Sequence, residues 1–314
     1  MHLMNARAKE TLFSSLNEQL QILDASIGDN IRCPLCWNLF GPSALQSELS
    51  VEHVSPTATA KLIKESQLTT LTCNQCNHNY GSQYHSHLKK FLVFQLHQAG
   101  KYDKPIPGTI VPSERDLVPL KSNIIFTPKD IKVIGVPKAN AVSTTQSHVS
   151  TWDLLSKSNA NGWSFTVEFD YGCILSAAWL AYLQVAYLMV YVLTECHYAF
   201  TKAGVEIRNG LIQGNIKEIG PCVITPNKIG VGGKPWIAKI VEPANLRCLW
   251  VKIAGNIVIM PFPDDDKLSC YKEWQKISDQ THFGLRPHKT HLKITFHSRE
   301  DALAAQQCIV LSPD

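Results

Sequence analysis

Cys33-Pro34-Leu35-Cys36, Glu52-His53-Val54-Ser55-Pro56 and Cys73-Asn74-Gln75-Cys76-Asn77 are the stretches that decide how this chain is read. Two CxxC pairs, with 36 residues between them, enclose a Glu-His pair, and an Asn follows the last Cys. A CxxC turn brings two thiolates within reach of one metal, and two such turns make a closed four-sulfur zinc site. Coordination by Cys33, Cys36, Cys73 and Cys76 leaves no position for water, so this zinc is expected to be structural. It would replace part of the core that so small a unit lacks. A purely structural site needs neither the Glu-His pair nor the Asn. Glu and Asn offer hard oxygen ligands, and His is a base near neutral pH. Together they point to metal-assisted hydrolysis of a phosphodiester.

Working outward, residues 5–25 carry Leu12, Phe13, Leu16, Leu20 and Leu23 at the spacing of an amphipathic helix. A knuckle is expected over Ile31 to Phe40, strands over Leu49 to Val54 and Leu68 to Thr72, and a helix from near Asn77 to Gly100. Leu88, Phe91, Leu92 and Leu96 give that helix its apolar face. This is a ββα arrangement with zinc knuckles at its base. Residues 101–150 read as a connector broken by Pro105, Pro107, Pro112 and Pro119, with a short strand at Ile131 to Val136.

A second domain is expected from Thr151. Trp163 to Phe169 alternates as a strand does. A long helix follows through the uncharged stretch Tyr171 to Thr194 and on to His197–Ala203. Strands come next at Cys222–Thr225, Trp236–Val241, Leu249–Ile253, Asn256–Met260 and Leu292–Phe296, and a last helix at Ser298–Gln307. The fold class is therefore α+β: an N-terminal helix (1–29), a small zinc-stapled ββα domain (30–104), a connector (105–150) and a larger α+β domain with a long buried helix (151–314).

The segment from about residue 30 to 100 resembles the HNH endonucleases, in the branch with a treble-clef-like zinc knuckle that reads CxxC, [DE]H[IV]xP, CxxCN. Here the last part runs Cys73-Asn74-Gln75-Cys76-Asn77-His78-Asn79-Tyr80-Gly81-Ser82. The chain departs from the pattern in two places. Gln67-Leu68-Thr69 stands where that branch has a central Asn, and no Gly-Gly follows the Glu-His motif. The resemblance implies a ββα-metal fold that cuts DNA, with RNA left open. It implies that Glu52 and Asn77 hold a catalytic Mg²⁺ or Mn²⁺ and that His53 is the general base. It also implies a contact of His85 with the scissile phosphate, or a role as third ligand. Lys89 and Lys90 fall on the following helix, as phosphate contacts would. Six lysines stand between Thr57 and Lys104 against Glu65 and Asp103 alone.

A different class of function remains open: a non-catalytic, zinc-dependent nucleic-acid-binding protein, which needs the cysteines and lysines but not His53. A third is a restriction or antiviral defence effector, silent until its second domain is engaged. Homodimerisation is left open too.

The 314 residues, 45% hydrophobic and 18% charged, describe a globular chain whose net charge of +4 permits an anionic partner without demanding one. The polar start of the chain has no apolar signal segment, and paired CxxC motifs suit a reducing cytoplasm. The uncharged stretch at 171–194 is long enough to span a bilayer. Ser176 and Gln184 interrupt it and no Lys/Arg cluster abuts it, so it reads as a buried core helix. Gly230 to Pro235 lacks phosphate-loop spacing. Asp264-Asp265-Asp266-Lys267 reads as a solvated loop. His282, His288, His291 and His297 are too irregular for ligands.

Overall fold

The computed structural model describes residues 2–65, 67–98, 101–102, 104–112, 120–126, 131–135, 163–169, 171–214, 223–224, 236–241, 244–253, 255–265, 267–278 and 290–296. Helix and strand are mixed through the chain, as in an α+β protein. The expected helix at Ser298–Gln307, the 230–235 loop, and His282, His288 and His297 lie outside the described residues.

The chain forms two compact units, one of residues 1–92 and 174–285, the other of 93–173 and 286–314. The first begins with α1 (His2–Leu23), which buries Phe13, Leu16 and Leu20 at helical spacing. Two polar clamps tie α1 to the segment after it. Lys9 donates to the carbonyls of Leu45 (3.1 Å) and Leu49 (2.7 Å), and Asn17 donates to those of Gly28 (2.8 Å) and Asn30 (2.7 Å). β1 (Ile31–Arg32) and β2 (Leu39–Phe40) pair across the first CxxC turn.

Next come β3 (Leu49–His53), α2 (Thr57–Ile63) and β4 (Thr69–Cys73), with β3 and β4 antiparallel from Leu49↔Cys73 to His53↔Thr69. A continuous helical stretch succeeds them: α3 (Asn74–Tyr80), a π-helical turn at Gly81–His85 and α4 (Ser86–Gln98). The helix thus starts three residues earlier than expected, at the second CxxC itself. α2 has no counterpart in the sequence pattern, since Thr57–Ile63 is short and capped by no side-chain hydrogen bond.

The stretch read as a connector instead supplies strands. β5 (Ile106–Pro112), β6 (Leu120–Phe126), β7 (Ile131–Gly135) and β8 (Trp163–Phe169) join the strand Thr290–Phe296 in one antiparallel sheet of the second unit. The order is 290–296, β8, β5, β6, β7. The prolines that argued against regular structure sit where they do least harm. Pro107 pairs with β6 alone and Pro112 with β8 alone, so neither interrupts a strand bonded on both sides.

Back in the first unit, α5 (Leu175–Leu193) is the central helix. Among the described residues it is the one helix long and apolar enough to cross a membrane, and most of it is buried in the protein. It does not continue through His197–Ala203 as expected. Glu195 and Cys196 adopt left-handed conformations (φ 49° and 68°), which end the helix before a tight turn at His197–Phe200 and α6 (Lys202–Gln213). Gly204 on α6 lies so close to that turn that a Cβ would stand 1.9 Å from the Tyr198 carbonyl oxygen, so only glycine fits. β9 (Val223–Ile224), β10 (Trp236–Ile240), β11 (Cys248–Ile253) and β12 (Asn256–Pro261) form an antiparallel sheet ordered β10-β11-β12-β9. α7 (Ser269–Ser278) comes next. Asp265 caps it, accepting from the backbone N–H of Ser269 (2.9 Å) and Cys270 (3.0 Å). Asp264 pairs with Arg247 at 3.0 Å, so these two acids of the 264–267 run have structural partners.

Candidate functional site

The register of β3 and β4 assembles the site. Cys33 and Cys36 come from the turn between β1 and β2, and Cys73 ends β4 and caps α3, whose first turn carries Cys76. The four sulfurs all lie within 4.8 Å of one another, and Cys36 Sγ stands 3.8 Å from Cys73 Sγ. Tetrahedral bonds of about 2.3 Å to zinc put sulfurs about 3.8 Å apart, so the cluster fits that ion. Backbone N–H groups already face the sulfurs: Cys73 donates to Cys33 Sγ and Cys76 to Cys73 Sγ, each at 3.4 Å. Hydrogen bonds among the four thiols hold Cys73 far below the ordinary thiol pKa and raise Cys33 and Cys76 above it. Four cysteines this close can bind a metal ion such as zinc.

The cluster is anchored from the far end of the chain. Tyr187, fully buried on α5, donates to the Pro34 carbonyl at 3.0 Å. Trp37 takes a left-handed backbone conformation (φ 66°). The Arg208 guanidinium of α6 lies over its ring at 4.1 Å, and Phe200 meets its edge at 5.1 Å. Arg208 also donates to the Ala199 carbonyl at 3.1 Å.

Cross-strand partners share a face, so Ser50, Glu52, Thr70 and Thr72 form one side of the hairpin. This side is polar and yet buried: Glu52 is 4% exposed, Thr70 1% and Thr72 0%. Asn77 reaches it from α3, donating its side-chain amide to Ser50 Oγ at 2.9 Å and leaving its carbonyl oxygen available. The hydroxyls of Thr70 and Thr72 have no hydrogen-bond partner among the described residues. Nor does any hydrogen bond or ion pair among those residues reach the Glu52 carboxylate, and burial alone pushes its pKa up to about 7.

His53 falls on the other side of the strand and is exposed, opposite Thr69. Among the described residues no hydrogen bond orients it. Gln67, near the position of the missing Asn, directs its amide to the Ser55 carbonyl and Thr57 Oγ1 instead, both at 3.2 Å. His85 sits on the π turn, and its Nε2 meets Gln184 Oε1 of α5 at 2.7 Å. Burial lowers the pKa of His85 and so favours the neutral ring. His87 has a structural task, accepting the Ile174 N–H at 3.0 Å just before α5 begins. Lys89 and Lys90 are exposed on α4. Sequence reasoning passes over Thr70, Thr72 and the pairing role of Gln184. A signal for Gln184 is present, as a polar residue interrupting an apolar run.

Comparison with protein-family models, with curated proteins and with solved structures finds no match.

Proposed function

We propose that this chain is a metal-dependent endonuclease of the HNH type, hydrolysing phosphodiester bonds in DNA, with a structural zinc at the four cysteines. The observation that carries the reading is Glu52. A carboxylate this deeply buried, with no counter-charge among the described residues, is unfavourable when ionised, and a bound cation would relieve that penalty. Asn77 supplies a second hard oxygen, tied to the same face through Ser50. Two protein ligands suit magnesium, which keeps several waters.

The cation, when bound, stabilises charge on the phosphate and the leaving oxygen. The residues of the chain do the rest. Glu52 and Asn77 hold the ion. His53 accepts a proton from the attacking water while the new P–O bond forms and one ester P–O bond breaks. The leaving oxygen takes its proton from solvent. Lys89 and Lys90 contact neighbouring phosphates.

One observation favours the rival, a non-catalytic nucleic-acid-binding zinc protein: no described hydrogen bond orients His53, as a general base ordinarily requires. Plasmid nicking with Mg²⁺ or Mn²⁺ separates the two. His53→Ala should lower the rate by about 10²–10⁴, with zinc content and DNA affinity unchanged. Equal cutting by the variant would remove His53 from the mechanism, and no cutting by either protein would favour the binder.

A further inference from the structure

The polar side of the β3–β4 hairpin carries more oxygen than Glu52 and Asn77 account for. Ser50, Glu52, Thr70 and Thr72 all lie on it, Ser50 opposite Thr72 and Glu52 opposite Thr70. Directly opposite residues stand about 5 Å apart at Cβ, and residues two apart on a strand about 7 Å. The four side chains therefore form one compact patch. It deepens inward: Ser50 and Asn77 are half-buried, whereas Glu52, Thr70 and Thr72 are buried.

Threonine is common in strands because its branched side chain fits the pleat. On a solvated face water satisfies its hydroxyl. Here the hydroxyls of Thr70 and Thr72 are shut off from solvent and have no partner among the described residues. Valine has nearly the same shape and would fill the space with no polar atom to satisfy. Two such hydroxyls on the face of a buried carboxylate therefore call for a polar guest. Each can donate one hydrogen bond and accept two. Water bound to a cation suits them, since it donates outward from the ion.

Ser50 acts on Asn77. Its Oγ accepts from the Asn77 side-chain amide at 2.9 Å, so the nitrogen of that amide is occupied and its oxygen is the end left for a cation. Ser50 stands two residues before Glu52 on the same face, and the bond thus holds Asn77 on the Glu52 side of the hairpin. A magnesium–oxygen bond of about 2.1 Å followed by a hydrogen bond of about 2.8 Å spans at most about 5 Å, the scale of the spacing between opposite pairs.

We propose that the hydroxyls of Ser50, Thr70 and Thr72 form the outer shell of the Glu52–Asn77 cation site. Ser50 holds the Asn77 amide with its oxygen toward the ion, and Thr70 and Thr72 accept hydrogen bonds from water on the ion. All three are positioning residues. The proposal rests on the cation site of the nuclease reading and adds to it residues from outside the Glu-His and CxxCN motifs.

The test uses full-length zinc-loaded protein freed of magnesium, and titration calorimetry reads Mg²⁺ binding apart from any cutting. Ser50→Ala and the double variant Thr70→Val/Thr72→Val should each weaken that binding about 10–100-fold, the usual effect of losing an outer-shell partner. Ser50→Thr, which keeps the hydroxyl, should bind as the wild type does. Neither Thr70→Val nor Thr72→Val should lower the melting temperature of the magnesium-free protein, because each removes a buried hydroxyl that has no partner. Wild-type Mg²⁺ affinity in Ser50→Ala or in the double variant overturns the proposal, and if those variants also nick normally the nuclease reading stands without it. Weakened binding that comes with lost zinc or a lower magnesium-free melting temperature also overturns it, since the hydroxyls would then serve folding. So does a wild type that binds no Mg²⁺. Binding weakened as expected in a protein that never nicks would uphold the outer shell while defeating the nuclease reading.

Discussion

A carboxylate that faces no positive charge works against folding whenever it is ionised, and among the described residues none reaches Glu52. Its pKa is about 7 in the folded chain against an ordinary 4.5, so the folded state binds the extra proton between those values. Stability therefore falls as pH rises from about 4.5 through about 7, and the loss is complete above that. At 1.36 kcal/mol per unit the loss is at most about 3 kcal/mol. In magnesium-free buffer, urea unfolding should show the wild type losing this stability between pH 5 and pH 8 relative to Glu52→Gln. Added Mg²⁺ should restore it at pH 8. Parallel pH profiles for the two proteins would show that Glu52 is not the buried acid described. Glu52, His53 and Asn77 are legible as candidates because they stand in a local motif. Thr70 and Thr72 are not, because what marks them is burial without a partner. Gln184 is visible as an interruption in an apolar run, but His85 lies 99 positions away in the chain.

Among the elements, the hairpin β3–β4 and the helix after it depend on the cysteine cluster for their junction. Cys73 ends the strand, caps the helix and supplies a sulfur, so one substitution removes all three. Cys73→Ala should give insoluble or unfolded protein that no longer retains the one equivalent of zinc per chain expected of the wild type, because metal binding supplies folding free energy. Elemental analysis with circular dichroism checks it, and a folded, zinc-free variant would refute it. Most strands of the first unit are legible from alternation: Trp236–Ile240, Cys248–Ile253 and Asn256–Pro261 fall within a residue of where the pattern puts them. The break after α5 is not. Nothing in Thr194-Glu195-Cys196 is a glycine or proline, yet Glu195 and Cys196 both turn left-handed. The π turn is equally hidden, since it shifts hydrogen bonding by one residue and Gly81 at its start does not by itself specify such a shift.

At the scale of the molecule, the linear division into a small nuclease domain, a connector and a second domain gives way to units whose segments interleave along the chain. The knuckle packs on α5 and α6 through Tyr187 and Arg208, more than 150 residues later, and no local pattern announces pairings at that separation. The β5–β8 segments look like linker because proline content marks breaks, whereas the missing N–H matters only where a strand is bonded on both sides. What the whole arrangement provides is a cluster of four cysteines that can bind a metal ion such as zinc, a few residues from a buried polar face, and the proposed function makes these two metal environments of opposite chemistry. The central claim is that they hold different metals with different tasks. The measurement that tests it most directly is plasmid nicking after EDTA treatment, with zinc assayed in the same sample. At EDTA concentrations that leave one zinc per chain, nicking should vanish, and Mg²⁺ or Mn²⁺ alone should restore it. Nicking that persists with zinc as the sole metal would contradict the account.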